Sequence, residues 1–332
     1  MASSEFELIN KYFKNLTDDD SSVQCGIGDD AAIVHIPHGM EVALSIDTLL
    51  EGTHFPAETQ PSDIAYKALA VNLSDMAAMG AVPKWVLLSI SLPEKDEDWL
   101  EKFVSGFLEL AKPHSINLIG GDLSRGPLSI TVQIQGLLPT GSALKRNGAR
   151  KDDLIYVTGT LGDAGVGLDI MNGKLSISGK HKMFFLNSLN RPYISIDAGI
   201  RLRNIANSAI DISDGLMADL GHILEASHVG AEIEMEKIPL SEAMQKCIDK
   251  MTAWNYALTF GDDYKLCFTA PAEKHDLIIK AFKEIQITVS CIGKITGESG
   301  LNCKSPEGTS FEPSGRPYQH FNVRYQEEIS GL

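Results

Sequence analysis

The stretch from Pro61 to Gly80 constrains this chain most. It reads as one helix that is apolar almost all round, yet it carries a carboxylate, Asp75, in its middle. Pro61-Ser62-Asp63 opens the helix and Gly80 has the composition of a stop. Ala68, Leu69, Val71, Leu73, Met76, Ala77 and Met79 leave no solvent stripe, so the helix must be buried. A charge in that setting pairs or coordinates a metal, because burying it alone is costly. A capping role is closed to Asp75 in a helix interior. Asn72, three residues earlier, shares its face.

Around this helix the pattern alternates between strand and helix. Residues 5–13 read as a helix and 17–22 as a polar turn. Strands are expected at 31–36, 41–47, 85–92, 116–119 and 128–138, with an amphipathic helix at 96–111. Residues 139–153 are polar, with glycines and a small basic cluster of Lys145, Arg146, Arg150 and Lys151. A domain boundary is expected there, giving an N-terminal part, 1–140, and a C-terminal part, 141–332. The second part opens with a strand at 154–158 and a glycine-rich turn, and is helical to about 206. A strand at 209–212, a helix at 216–227 and a strand at 231–235 follow, with further alternation to about 296. The tail keeps Tyr318 and Phe321 and is expected to pack. The fold class is α/β (α+β) in two unequal parts; 332 residues are comfortable for two domains.

The other aspartates fall where Asp75 makes them interesting. Asp29 and Asp30 precede a strand, Asp47 ends one, Asp122 follows Gly120-Gly121, and Asp211 and Asp214 flank Ile212-Ser213 before a helix. Each has a plain alternative: Asp214 as an N-cap, Asp47 and Asp122 as turn residues. If they converge, they repel one another unless cations intervene. Hard oxygen ligands suit Mg²⁺, which keeps waters and bridges to phosphates. The formal net charge of −15 agrees, since the positive charge for a phosphate substrate then comes from metal. The same charge opposes binding to nucleic acid or anionic membranes. No run of 18 apolar residues predicts a membrane span. The first ten residues lack a signal pattern, so the cytoplasm is the default compartment. Five cysteines without CxxC spacing argue for reduced thiols and against zinc; Cys267 and Cys291 read as core residues.

Other chemistries are poorly served. Gly159-Thr160-Leu161-Gly162-Asp163-Ala164-Gly165-Val166-Gly167 follows a strand and precedes a helix, but its glycine spacing does not fit the dinucleotide fingerprint. A tight turn with close helix packing is the plainer reading. No Walker loop, His-Glu-x-x-His zinc motif or recognisable nucleophile occurs.

Taken together, the motif blocks resemble the thiamine-monophosphate kinases, from about Glu5 to Phe321. The matching stretches are Gly26-Ile27-Gly28-Asp29-Asp30-Ala31, Asp47-Thr48, Gly52-Thr53-His54-Phe55, Ala68-Leu69-Ala70-Val71-Asn72-Leu73-Ser74-Asp75, Ala77-Ala78-Met79-Gly80-Ala81, Ile119-Gly120-Gly121-Asp122, Arg125-Gly126-Pro127 and Asp211-Ile212-Ser213-Asp214-Gly215-Leu216. The resemblance implies a two-domain aminoimidazole ribonucleotide synthetase-like fold whose N-terminal sheet forms a homodimer interface. It implies ATP-dependent phosphorylation of thiamine monophosphate to thiamine diphosphate, with several Mg²⁺ ions and K⁺ as a further candidate. It implies metal ligation by Asp30, Ser45, the Ile46 carbonyl, Asp47, Asp75, Asp122, Asp211 and Asp214, ATP contacts from Gly121, Asp122, Arg146 and Ser213, and acceptor contacts from His54, Asp262 and Tyr318. Two departures stand out. The family has Gly-Glu-Asp-Tyr-Glu-Leu where this chain has Gly261-Asp262-Asp263-Tyr264-Lys265-Leu266, and Ile46 replaces a frequent Thr. The competing readings are another ATP-using enzyme of that superfamily, a metal-dependent phosphohydrolase and a silent nucleotide-binding protein.

Overall fold

The computed structural model describes residues 5–14, 16 and 20–314. In chain order the elements are α1 (Glu5–Tyr12), β1 (Val23–Cys25), β2 (Ile33–Val34), β3 (Met40–Leu50), α2 (Pro61–Ala78), β4 (Val82–Leu92), α3 (Glu97–Ala111), β5 (Asn117–Arg125) and β6 (Ser129–Pro139). Then come β7 (Leu154–Thr158), α4 (Asp163–Met171), α5 (Gly179–Asn190), α6 (Ile196–Leu202), β8 (Ser208–Asp211), α7 (Leu216–Ser227), β9 (Gly230–Glu234), α8 (Glu242–Cys247), α9 (Lys250–Thr259), β10 (Leu266–Ala270), α10 (His275–Glu284), β11 (Val289–Thr296) and β12 (Gly300–Lys304).

Two sheets organise them. The first has the order β3-β6-β4-β5, antiparallel except for the parallel pair β4–β5. The second has the order β12-β9-β11-β7-β10-β8, antiparallel except for β12–β9. Helix α2 joins the two. It packs on β3 and β6 of the first sheet, on β8 of the second, and on α3 and α6. Ala65, Ala68, Leu69 and Leu73 are fully buried in it, as an apolar helix without a solvent face requires.

The contact between α2 and α6 is close because Gly199 has no side chain. A Cβ there would lie 1.9 Å from the Ala77 carbonyl oxygen. Only backbone can yield, so Gly199→Ala is expected to cost at least about 3 kcal/mol, at the upper end of overpacking effects. Urea unfolding of the two proteins measures this; a loss below about 1 kcal/mol would show that the helices slide apart easily.

Two strands run further than the sequence pattern suggests. β3 continues through Asp47 to Leu50, pairing with β6 as far as Leu50↔Ser129. Asp47 therefore lies within a strand rather than at its end. β5 runs on through Gly120-Gly121-Asp122 to Arg125, so Asp122 is likewise a strand residue and not a turn. Its glycines are what pairing with β4 demands: a Cβ on Gly121 would sit 1.9 Å from the Leu88 oxygen. Conversely, only Ile33–Val34 of the expected strand at 31–36 is paired.

On β3, Ser45, Asp47 and Leu49 alternate with Leu44, Ile46 and Leu50. The first set faces α2. The second is 65%, 63% and 42% exposed. The tail packs as far as it is described: Phe311 meets Trp254 edge to face, with centroids 5.8 Å apart. Tyr318 and Phe321 lie outside the described residues.

Candidate active site

Three carboxylates converge where α2 passes between the sheets. Ser45 on β3 donates a short hydrogen bond to Asp75. Asp47, two residues along the same face, shares a hydrogen bond with Asp75. At the preceding position of α2, Ser74 Oγ donates to Asp211 Oδ2 at 2.7 Å, linking α2 to the end of β8. Burial, aggravated by Asp75, pushes Asp47 up to about 6 and the fully enclosed Asp211 up to about 7. Burial also raises Asp75, against the opposing pull of its hydrogen bonds and the Arg146 charge. Arg146 thus acts on the cluster electrostatically from an exposed loop.

Next to it, the turn 213–215 is held by a residue that motif spacing does not reveal. Asp219 Oδ2 accepts the backbone N–H groups of Ser213, Asp214 and Gly215 at 3.0, 3.0 and 3.2 Å. Burial pushes Asp219 up to about 6 despite these bonds. The N-cap of α7 is Gly215, not Asp214. Asp214 is therefore left at the edge of the cluster by a turn that Asp219 fixes.

Asp262 is placed by two further residues outside the expected set. The almost fully buried Lys67 of α2 lies 3.0 Å from Asp262 Oδ1, and Tyr264 Oη donates to the same oxygen at 2.9 Å. Asp262 and Tyr264 both adopt left-handed backbone, with φ of 65° and 49°. Such strain in non-glycine residues costs about 1–3 kcal/mol each and clusters at functional sites. Burial above all, then Asp262 and more weakly Asp211 and Asp47, holds the Tyr264 hydroxyl protonated, so this group also faces the carboxylate cluster. Lys265 turns away, donating to the Tyr193 carbonyl at 3.0 Å beside a cavity of about 210 Å³.

The remaining expected residues lie elsewhere. His54 sits in the turn after β3 and its Nδ1 accepts the Leu50 N–H at 3.0 Å. Asp30 is exposed in the bend before β2. Gly121 and Asp122 lie on β5, at the sheet edge opposite β3, where with Ile27 they line a cavity of about 40 Å³. Asp122 pairs in register with Ser89, and through it with Thr131 and Thr48. That row belongs to the exposed face, so Asp122 and Asp47 point from opposite sides of the sheet. Among the described residues no group of three or more His, Cys, Asp or Glu side chains is arranged to enclose a metal ion. Tyr318 lies outside the described residues.

The glycine-rich turn at 159–167 behaves as packing. Asp163, accepting from Thr160 and Ser241 at 2.7 and 2.6 Å, and Asp263, accepting the Gly162 N–H at 2.7 Å, occupy the start of α4. These side chains occupy the turn's N–H and hydroxyl donors, leaving no cradle for the pyrophosphate that a dinucleotide would bring.

The raised carboxylates make a pH prediction. A folded-state value above the unfolded one means stability present at low pH and lost as pH rises through the folded value. Between about pH 4 and 7, the windows set by Asp47, Asp211 and Asp219, the chelator-treated protein should lose stability. Its melting temperature should fall by roughly 5 °C, and Mg²⁺ should restore more at pH 8 than at pH 5. Thermal melts with and without Mg²⁺ measure this; a melting temperature that rises with pH in chelator would contradict the cluster's electrostatics.

Residues 28–138 match the family described as AIR synthase related protein, N-terminal domain, and residues 150–304 match its C-terminal domain. The chain is 43% identical over 322 residues to the thiamine-monophosphate kinase of Escherichia coli strain K12, covering 97% of this chain and 99% of that one. Its fold is similar to the crystal structure of thiamine-monophosphate kinase from Stenotrophomonas maltophilia K279a, with TM-score 0.82 and 40% identity over 92% of this chain and 96% of that chain. It is also similar to AaThiL complexed with AMPPCP and TMP, with TM-score 0.76 and 32% identity over 96% of this chain and 97% of that chain.

Proposed function

Because the chain belongs to the thiamine-monophosphate kinase family and is a phosphotransferase, we propose that it moves the γ-phosphoryl group of ATP to thiamine monophosphate, giving thiamine diphosphate. The observation that carries this reading is the convergence of Asp47 and Asp75, which share a hydrogen bond, with Asp211, which Ser74 of the same helix ties to α2, bringing carboxylates from β3, α2 and β8 together between the two sheets. Buried carboxylates that raise one another are stable as anions only beside cations.

Their all-oxygen donor set fits Mg²⁺. Asp30, Ser45, the Ile46 carbonyl, Asp47, Asp75, Asp122, Asp211 and Asp214 would hold the ions, with K⁺ as a further candidate. When bound, Mg²⁺ neutralises phosphate oxygens and aligns donor with acceptor. The chain does the rest. Gly121, Asp122, Ser213 and Arg146 receive the nucleotide, Arg146 by charge-assisted hydrogen bonds. His54, Asp262 and Tyr318 receive the acceptor, with Lys67 and Tyr264 fixing Asp262. The acceptor is a phosphate monoester, dianionic at neutral pH because its second pKa is about 6. It needs no general base, and transfer is direct and in line. The same reading places the enzyme in the cytoplasm as a homodimer built on the first sheet, whose bare face carries Leu44 and Ile46.

Chromatography of reactions lacking each component tests it. Thiamine diphosphate should form only with ATP, Mg²⁺ and thiamine monophosphate together. ADP without thiamine diphosphate would overturn the acceptor assignment.

A further inference from the structure

Lys265 is the charge that the proposed reaction leaves unused. It stands where the thiamine-monophosphate kinases carry Glu, so this chain places a cation where they place an anion. Its stem crosses Gly159, which is left-handed at φ 65°; a Cβ there would lie 3.0 Å from Lys265 Cδ. The side chain is thereby laid along the wall of the cavity of about 210 Å³, where its ammonium donates to the Tyr193 carbonyl at 3.0 Å. That bond uses one of three protons. The Asp263 and Asp163 charges act on it, but both are held by other donors, Asp263 by the Gly162 N–H and Asp163 by Thr160 and Ser241. Neither makes an ion pair with Lys265 among the described residues. Burial lowers the Lys265 pKa, with these two carboxylates pulling the other way. A buried cation short of a counter-ion gains most from an anion brought into contact with it.

The rest of the cavity decides what kind of anion fits. Ala77, Leu266 and Ile287 give it apolar walls, and Tyr193 and Tyr264 add two aromatic ones. Tyr193 is 66% exposed, so the cavity is reached from solvent past that residue. Two lining hydroxyls keep a proton to donate, because their oxygens already accept: Thr158 Oγ1 from the Leu266 N–H at 2.9 Å and Ser195 Oγ from the Ala198 N–H at 3.2 Å. An ammonium and two hydroxyls suit the two oxygens of a carboxylate. A phosphate, with more oxygens to satisfy, would be left short of donors. A dry cavity of about 150 Å³ takes benzene, so one of about 210 Å³ has room for a ring and a carboxylate. Tyr264 and Gln286 line it in left-handed backbone, with φ of 49° and 58°, a strain that gathers at ligand clamps. Tyr264 also holds Asp262, so the cavity backs onto the proposed acceptor loop without belonging to the carboxylate cluster.

We propose that this cavity is a second binding site, for a small aromatic carboxylate, with Lys265 as its counter-ion and the ring against Tyr193 and Tyr264. The site is separate from that of phosphoryl transfer and does not depend on that reading.

Calorimetry and ligand-observed NMR with benzoate test it. Benzoate should bind at one site per chain with a Kd of about 1 mM or tighter, and should still bind when thiamine monophosphate is saturating. Benzyl alcohol keeps the ring without the charge, and inorganic phosphate keeps charge without a ring; each should bind at least tenfold more weakly. Lys265→Met, checked for the wild-type melting profile, should weaken benzoate at least tenfold, the scale of a hydrogen bond to a charged group, and leave benzyl alcohol unchanged. Ile287→Trp fills the cavity with Lys265 still in place, and should remove the binding of both ring compounds even if Lys265→Met melts lower. Absence of saturable benzoate binding to the wild-type protein would overturn the proposal. So would unchanged benzoate affinity in either variant that keeps the wild-type melting profile. Phosphate binding as tightly as benzoate would leave an anion site without a ring pocket, and displacement of benzoate by thiamine monophosphate would make the cavity part of the acceptor site; both results would overturn it.

Discussion

Replacing Asp75 with Asn is expected to lower turnover by about a thousandfold or more without loosening the fold. Asn keeps the shape and still accepts the Ser45 hydroxyl, so packing on β3 survives. What disappears is one negative charge at the point where Asp47 and Asp211 also converge. If that charge holds cations against phosphate, its loss removes several kcal/mol of charge stabilisation in the transition state, and each 1.36 kcal/mol is tenfold in rate. The metal-free variant should melt at the same temperature as wild type or higher, because repulsion is relieved. Steady-state kinetics and melting curves check both halves. Near-normal turnover would remove Asp75 from the site; unfolding would make its role structural.

Replacing Lys67 with Met should act on a different part of the reaction. The Lys67 ammonium is buried in α2 and faces Asp262, whose side chain is 30% exposed. Removing one partner of a buried pair strands the other. Because Asp262 keeps some water, the cost should sit at or below the lower end of such effects, about 2–3 kcal/mol. With Asp262 and Tyr264 in left-handed backbone, the loop has little reason to hold its shape once that contact goes. The KM for thiamine monophosphate should rise at least tenfold while the KM for ATP stays within about twofold, since the proposed ATP contacts Gly121, Asp122 and Arg146 lie on other elements and Ser213 meets this loop only through its backbone carbonyl, which accepts the Asp262 N–H at 2.9 Å. Equal changes in both constants, or lost stability with unchanged kinetics, would show that Lys67 supports the fold and does not position Asp262.

The parts legible in sequence were those carried by short-range pattern. Helix α2 showed itself through unbroken apolarity, and Asp75 stood out because nothing local could satisfy it. Strand lengths were less legible. β3 and β5 extend past Asp47 and through Gly120-Gly121 because β6 and β4 pair with them there, and pairing is a long-range fact. Lys67, Ser74, Asp219 and Tyr264 were missed for a related reason. Lys67 and Ser74 lie in the buried helix like any other interior residue, and their partners are 195 and 137 positions away. For Asp219 there was a local signal: a carboxylate four residues past a glycine at a helix start can turn back to accept the preceding N–H groups. The opposite facing of Asp47 and Asp122 was invisible until the register of four strands was known, because a side chain's face depends on counting along β3, β6, β4 and β5 together.

The most direct test of phosphoryl transfer follows the label. With [γ-³²P]ATP, Mg²⁺ and thiamine monophosphate, radioactivity should leave ATP and appear in the terminal phosphate of thiamine diphosphate, with one ADP formed for each. No labelled protein should accumulate when the acceptor is withheld. Release of labelled inorganic phosphate at the same rate with or without thiamine monophosphate would contradict the account and make the carboxylate cluster the site of a hydrolase.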